Sequence, residues 1–333
     1  MAVMLLSRRN LLLGVSAAGL SGCSNSNPGG PSSSGGGVAS VAHKGLKKEG
    51  EKRALDALPR YAPHHLRQVR DRLAKLVETR PAPKPGEWLH DHPETGQSFE
   101  EYLKSQPTVP NGKRQTLVVL PVGELSSEAK KVVELTAEYM TLHFGLPSRV
   151  AAPIASPTPP SYAVRNKGAD RQLLSGWMIK SVLPPLLPPD AAALIAFTTT
   201  DLWPGSGWNY VFGEASLSAR VGVWSLHRYG DPKQDAASFK RVLERTLKIA
   251  VHETGHMFSL PHCTKYPCIQ SGVNSLDEAD ESPLWLCPEC LPKIAWATST
   301  DPRERLQKTH EFCKRHELDA ASFIAKQLSA IDA

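Results

Sequence analysis

His252, Glu253, His256 and His262 stand within eleven residues of one another, as His-Glu-x-x-His followed six residues later by a third histidine. Imidazoles four residues apart on a helix lie one above the other on a single face, where both can grip one ion. Glu253 falls on an adjacent face, from which its carboxylate can approach a water at the metal without ligating it. Six residues after His256 are enough for the helix to end and the chain to turn back with His262 as a third ligand. Three neutral imidazoles leave the fourth position of a tetrahedral zinc open to water and lower that water's pKa toward about 7. Glu253 is then placed to take the proton as the water attacks a peptide carbonyl, and to deliver it to the departing amine. The bland alternative is a pair of helix histidines making surface hydrogen bonds. It leaves the third histidine, and what comes next, without a reason.

Cys263 follows His262 directly, and Cys268, Cys287 and Cys290 complete a set of four within 28 residues. A Cys-Pro-Glu-Cys pair with a second pair about twenty residues away can wrap a structural zinc, whose binding contributes folding energy. Two disulfides are the competing arrangement in an oxidising compartment. Export of the chain already folded would let zinc load first, and zinc is the expectation here. Two ions per chain follow, one catalytic and one structural. Cys313 has no evident activating partner and reads as a small apolar residue of a C-terminal helix.

The elements that must position these groups are visible in the apolar spacing. Phe239, Val242, Leu243, Thr246, Leu247, Ala250 and Val251 recur at three- and four-residue intervals, so Ala236 to about Phe258 is predicted to be an amphipathic helix. Upstream, Gln115 to Pro121 and Ala193 to Thr198 are apolar runs that suit buried strands, and Arg149 to Ile154 is a third candidate. Ser126 to His143 reads as a helix with a serine cap, and Leu173 to Leu183 as another that Pro184 and Pro185 end. Asn209 to Ala215 and Val221 to Tyr229 flank a turn and can pair. Alternation of strands and helices with short connections predicts an α/β domain.

The N-terminus reads as an address. Arg8 and Arg9 precede an apolar run, Leu13 to Leu20, and Ser21-Gly22-Cys23 closes it. About ten apolar residues are too few to span a bilayer. The arginine pair resembles a twin-arginine export signal and the segment up to Cys23 a lipobox, which makes Cys23 the lipidation site. The expected organisation is a signal over 1–23, a Ser/Gly-rich tether over 24–50 and an extension of unassigned role over 51–114. A catalytic domain over 115–300 and a helical segment over 301–333 complete it. The localisation expected is a bacterial cell envelope, with the protein lipid-anchored to a membrane. The 333 residues carry a formal net charge of +6, 41% apolar residues and seven tryptophans. That charge is mild and unclustered, so nucleic acid is not expected as a partner, and a peptide or protein substrate is.

Together these residues resemble the archaemetzincin family. The likeness rests on His252 to His256, His262-Cys263, Cys268, Gly272-Val-Asn274, Leu276 to Asp280 and Cys287-Pro-Glu-Cys290 with Lys293. Upstream it takes in Asp201-Leu202, Phe212 to Ala215 and Val221 to Ser225, so that it covers roughly Gln115 to Trp296. The resemblance implies a metzincin-like twisted mixed sheet with an active-site helix and a C-terminal four-cysteine zinc segment. It implies aminopeptidase or endopeptidase activity, a catalytic zinc on His252, His256 and His262, and a structural zinc on Cys263, Cys268, Cys287 and Cys290. It also implies that Val221 to Tyr229 is the cleft edge on which an extended substrate adds as a strand. Two positions depart from the family pattern: Ser259 replaces the glycine that ends the active-site helix, and Gln270 replaces a methionine that floors the zinc site. These departures motivate an alternative function, a catalytically impaired zinc-stabilised peptide-binding protein; intact Glu253 argues against simple metal storage.

Overall fold

A run of eight residues buried on both faces, Ala191–Thr198, forms the middle of the fold. In this computed structural model residues 2–6, 61–110 and 112–333 are described. Cys23, the apolar run before it and the tether lie outside the described residues. In chain order the elements are β1 (Ala2–Leu6), α1 (Pro63–Leu73), α2 (Trp88–Asp91), α3 (Phe99–Lys104), β2 (Thr116–Val122), α4 (Ser127–Phe144) and β3 (Ser148–Val150). Then follow β4 (Val164–Lys167), β5 (Asp170–Leu174), β6 (Ala191–Thr198), β7 (Asp201–Trp203), β8 (Tyr210–Ser216) and β9 (Val221–Ser225). The last stretch is helical: α5 (Ala236–Met257), α6 (Leu276–Glu281), α7 (Cys290–Thr298), α8 (Pro302–Arg315) and α9 (Ala320–Asp332).

The strands form one mixed sheet in the order β3-β2-β6-β9-β8-β7-β5-β4. β2, β3, β6 and β9 run parallel, β8 returns antiparallel to β9, and β1 pairs antiparallel along β8 from Ala2↔Ala215 to Leu6↔Tyr210. Side chains alternate between two cores, as the pleat requires. Leu117, Val119, Ile195, Phe197 and Trp224 face α4 and α5. Val118, Leu120, Leu194, Ala196 and Val223 face Met178, Ile179 and Leu183 on the opposite side. Helices cover both faces of the parallel part, which is why its strands read as unbroken apolar runs. The fold is mixed α/β.

α4 begins where Ser126 accepts a hydrogen bond from the Ala129 amide and ends at Gly145, whose φ of 64° is the left-handed conformation glycine adopts freely. Three expectations need correction. β9 is not an edge: it lies between β6 and β8 and stops at Ser225, and the far side of β8 is taken by β1 and β7. Leu173 to Leu183 is not one helix, because Asp170–Leu174 pairs with Val164–Lys167 as a hairpin. Only from Ser175 does the chain coil, through a short turn and a π-helical Met178–Val182. Arg149 to Ile154 holds a strand only as far as Val150, with one further bridge from Ile154 to Val122.

The described part of the extension is not a separate unit. α1 and α3 pack on α7, burying Leu66 and Phe99 against Ala295. A phenylalanine taken wholly out of water contributes about 1.5–3 kcal/mol. Among the described residues no helix is long and apolar enough to cross a membrane.

Candidate metal centre and cleft

Asp235 caps α5 by accepting from the Ser238 amide at 2.7 Å, and the helix carries its apolar stripe against the sheet until its last two turns. There the buried groups become polar: His252, Glu253 and His256 are all withdrawn from solvent. Beyond Met257 the chain reverses at Ser259, a non-glycine residue at φ 65°, and brings His262 back over the helix. The Nε2 atoms of His252 and His256 lie 3.0 Å apart, and the His262 ring centroid is 5.3 and 5.0 Å from theirs. One ligand atom from each ring lies within 4.8 Å of the others.

Each ring is oriented from behind. His252 Nδ1 lies 2.9 Å from the Ile269 carbonyl and His256 Nδ1 lies 2.5 Å from that of Leu260. A carbonyl can only accept, so both rings carry hydrogen on Nδ1 and present a bare Nε2. Burial, then the neighbouring His262, holds His252 down at about 3, and burial with the other two rings holds His256 well below its ordinary range. Neutral rings are what a metal requires. The donor set fits zinc: a tetrahedron with bonds of 2.0–2.1 Å places its nitrogens about 3.3 Å apart.

Glu253 is fully buried, and neither carboxylate oxygen has a hydrogen-bond partner. Burial, then the charge of Glu214, pushes it up to about 8. A buried carboxylate without partners is costly unless a ligand supplies them. Beside His252 opens a small apolar cavity lined by Phe212, Tyr229, Ile249, Ile269, Val273 and Leu276.

The two positions that depart from the family pattern are both accommodated. Gln270 is buried beneath the histidines, where its Nε2 donates to the His252 carbonyl at 3.0 Å. A Cβ on Gly255 would lie 2.3 Å from Gln270 Oε1, so the helix accepts this floor only because residue 255 has no side chain. The strained Ser259 uses its hydroxyl to accept from the Thr108 amide at 2.9 Å, a tie that glycine could not make.

Cys263, Cys268, Cys287 and Cys290 are buried and free of disulfides, with their sulfurs within 4.8 Å of one another. Amides of Gln270 and Cys287 point at Cys268 Sγ, both at 3.4 Å. Hydrogen bonds from the other three sulfurs draw the Cys263 thiol strongly down. Four converging sulfurs with amide donors suit a closed zinc site. Cys313 is buried in α8. A third group, Asp170, Asp201 and His227, is different in kind. Arg228 and Gln172 already occupy Asp201, at 2.6–2.9 Å, so it is an ion-pair network.

Sequence reasoning missed Glu94, whose carboxylate oxygens lie 2.9 and 3.0 Å from His262 Nδ1. Partial burial raises that carboxyl, but the His262 contact outweighs it and holds the group below its ordinary range. No spacing rule connects positions 168 residues apart, and only the pairing of Ser98 with Glu101 as a capping box marks a nearby helix start.

A mixed sheet laid against a His-Glu-x-x-His helix, with a returning third histidine and a closed four-cysteine cluster, defines a protein of the zinc-metallopeptidase class. The family described as Peptidase family M54 matches residues 193–296. Archaemetzincin-2 of Homo sapiens is 30% identical over 254 residues, covering 66% of this chain and 70% of its own. The archaemetzincin of Pyrococcus furiosus is 30% identical over 190 residues, 54% of this chain and 93% of its own. The solved archaemetzincin of Archaeoglobus fulgidus, complexed with malonate, is 27% identical over 54% of this chain and 99% of its own, with a TM-score of 0.42. The chain belongs to the archaemetzincin family of zinc metallopeptidases.

Proposed function

We propose that this protein hydrolyses peptide bonds with a catalytic zinc held by His252, His256 and His262, and with Glu253 as general base and then general acid. The observation that carries this reading is Glu253 itself, buried beside the three rings with both oxygens unpartnered. When bound, the zinc supplies Lewis acidity for the scissile carbonyl and for the attacking water. His252 and His256 offer Nε2 because backbone carbonyls hold Nδ1. Glu253 withdraws a proton from the water as it adds to the carbonyl and returns it to the departing amine. The apolar cavity beside His252 receives a substrate side chain, and the substrate backbone adds along β8, which lies against α5, in the place that β1 takes in this structure. In pairing with β1, β8 accepts an extended segment there, and strand addition supplies backbone hydrogen bonds whatever the substrate sequence. A second zinc on Cys263, Cys268, Cys287 and Cys290 holds the loop that carries His262.

Arg8, Arg9 and Cys23 add the proposal of an exported, lipid-anchored enzyme acting at a bacterial envelope on peptide or protein substrates. The test of the chemistry is cleavage of a peptide library by the wild-type chain and by Glu253→Ala and Glu253→Gln, with free and N-acetylated peptides to separate terminal from internal cleavage. Turnover is expected to fall ~10²–10⁴-fold in both variants with two zinc per chain retained. Undiminished cleavage refutes the role of Glu253.

A further inference from the structure

His252 and His256 are oriented by backbone carbonyls of the catalytic segment, whereas His262 is oriented by a charged group from elsewhere in the chain. Glu94 lies in the extension, between α2 and α3, and is not free to wander. Trp88 Nε1 donates to its Oε1 at 2.8 Å, and both oxygens reach His262 Nδ1. Trp88 is fixed in turn. Its amide donates to Glu278 at 3.0 Å, its indole meets the His262 ring edge-on at 5.1 Å, and it lies over Gly272. A Cβ at Gly272 would stand 2.3 Å from the indole. Three further ties bind the extension to the same end of the catalytic segment. Tyr102 Oη donates to the Phe258 carbonyl, the Thr108 amide to Ser259 Oγ, and the Phe99 amide to Glu289.

We infer that Glu94 is a positioning residue of the histidine centre, so that the extension completes the zinc site. This rests on the reading that the three histidines hold a catalytic zinc. Accepting from Nδ1–H fixes the His262 tautomer with Nε2 bare, and the negative charge makes the imidazole a stronger donor to a cation. His262 most needs this, since it stands on a turn beyond the helix end and is the least buried of the three rings. Removal of such an outer partner typically costs 10–100-fold in metal affinity.

The test uses the full chain with Glu94→Gln and Glu94→Ala, and reads zinc affinity by chelator competition. The cysteine zinc is the internal reference. Glu94→Gln can keep one acceptor oxygen toward Trp88 Nε1 and His262 Nδ1 but loses the charge and the second acceptor; Glu94→Ala loses every one of these contacts. The affinity of the histidine zinc is expected to fall ~10–100-fold in Glu94→Ala and by a smaller factor in Glu94→Gln. The cysteine zinc is expected to stay unchanged in both. Cobalt(II) added to chain that carries zinc only at the cysteines should show altered ligand-field absorption in Glu94→Gln, a signature that loosening of the extension alone would not give. A histidine-site affinity within twofold of wild type in Glu94→Gln, together with an unaltered cobalt spectrum, overturns the inference even if Glu94→Ala proves too unstable to measure. Wild-type chain that binds zinc only at the cysteines would instead defeat the underlying reading of the three histidines.

Discussion

The histidine centre and the cysteine centre are joined by a single peptide bond, between His262 and Cys263, yet they are built in opposite ways. The cysteine centre is closed: four buried sulfurs of one local segment meet, and neighbouring amides donate to those of Cys268 and Cys287. The histidine centre draws on a helix, a turn and a distant extension, and keeps beside it a buried carboxylate with nothing to bond to. A site that only holds the fold gains from saturating every donor. A site that performs chemistry must leave groups unsatisfied, and the surrounding structure must tolerate the cost.

The largest effect that would break this contrast comes from the closed centre. Cys287→Ser is expected to abolish the cysteine zinc and the cooperative thermal transition near 37 °C, because structural zinc contributes on the order of 10 kcal/mol against a total stability of about 5–15 kcal/mol. It should also weaken zinc at the histidines, since His262 rides on the same loop; zinc analysis and circular dichroism melting check both. A normal melt with one zinc per chain would show that the two centres do not depend on each other. Prolonged chelation should reproduce the order, with the open centre losing its ion first and activity disappearing before the fold.

Smaller substitutions sharpen the boundary between the centres. Gln270 touches both, its amide on Cys268 Sγ and its side chain on the His252 carbonyl. Gln270→Met keeps the first contact and exchanges one hydrogen bond for apolar contact, so a destabilisation of about 1 kcal/mol is expected, with both zincs retained. A melting shift of a few degrees is the readout. Ser259→Gly relieves a left-handed φ and removes the bond from Thr108, and the two changes nearly cancel. Stability within about 0.5 kcal/mol of wild type is expected.

The residues of the proposed site were legible in the sequence because they are local. Two histidines four apart, a third six residues on and four cysteines within 28 residues constrain geometry by spacing alone. The strands β2 and β6 and the helices α4 and α5 were legible for a similar reason, since apolar period and capping are short-range signals. The order of strands in the sheet was not. Val221 to Tyr229 reads as an edge as easily as an interior strand, and only the pairing of β9 with β6 settles it. The hairpin of β4 and β5 was hidden by its polar residues and by the apolar run that follows. Glu94, Trp88 and Tyr102 gave no sign of their roles, because their partners come from a distant part of the chain.

That long reach has a consequence for how the molecule is made. Tyr102, Glu94 and Gln97 bond to groups 156, 168 and 196 residues later in the chain. At ~5–20 residues per second, the extension leaves the ribosome roughly 10–40 s before its partners exist. Through that interval Trp88, Phe99 and Tyr102 have no surface to bury against. A segment synthesised early is therefore among the last to dock.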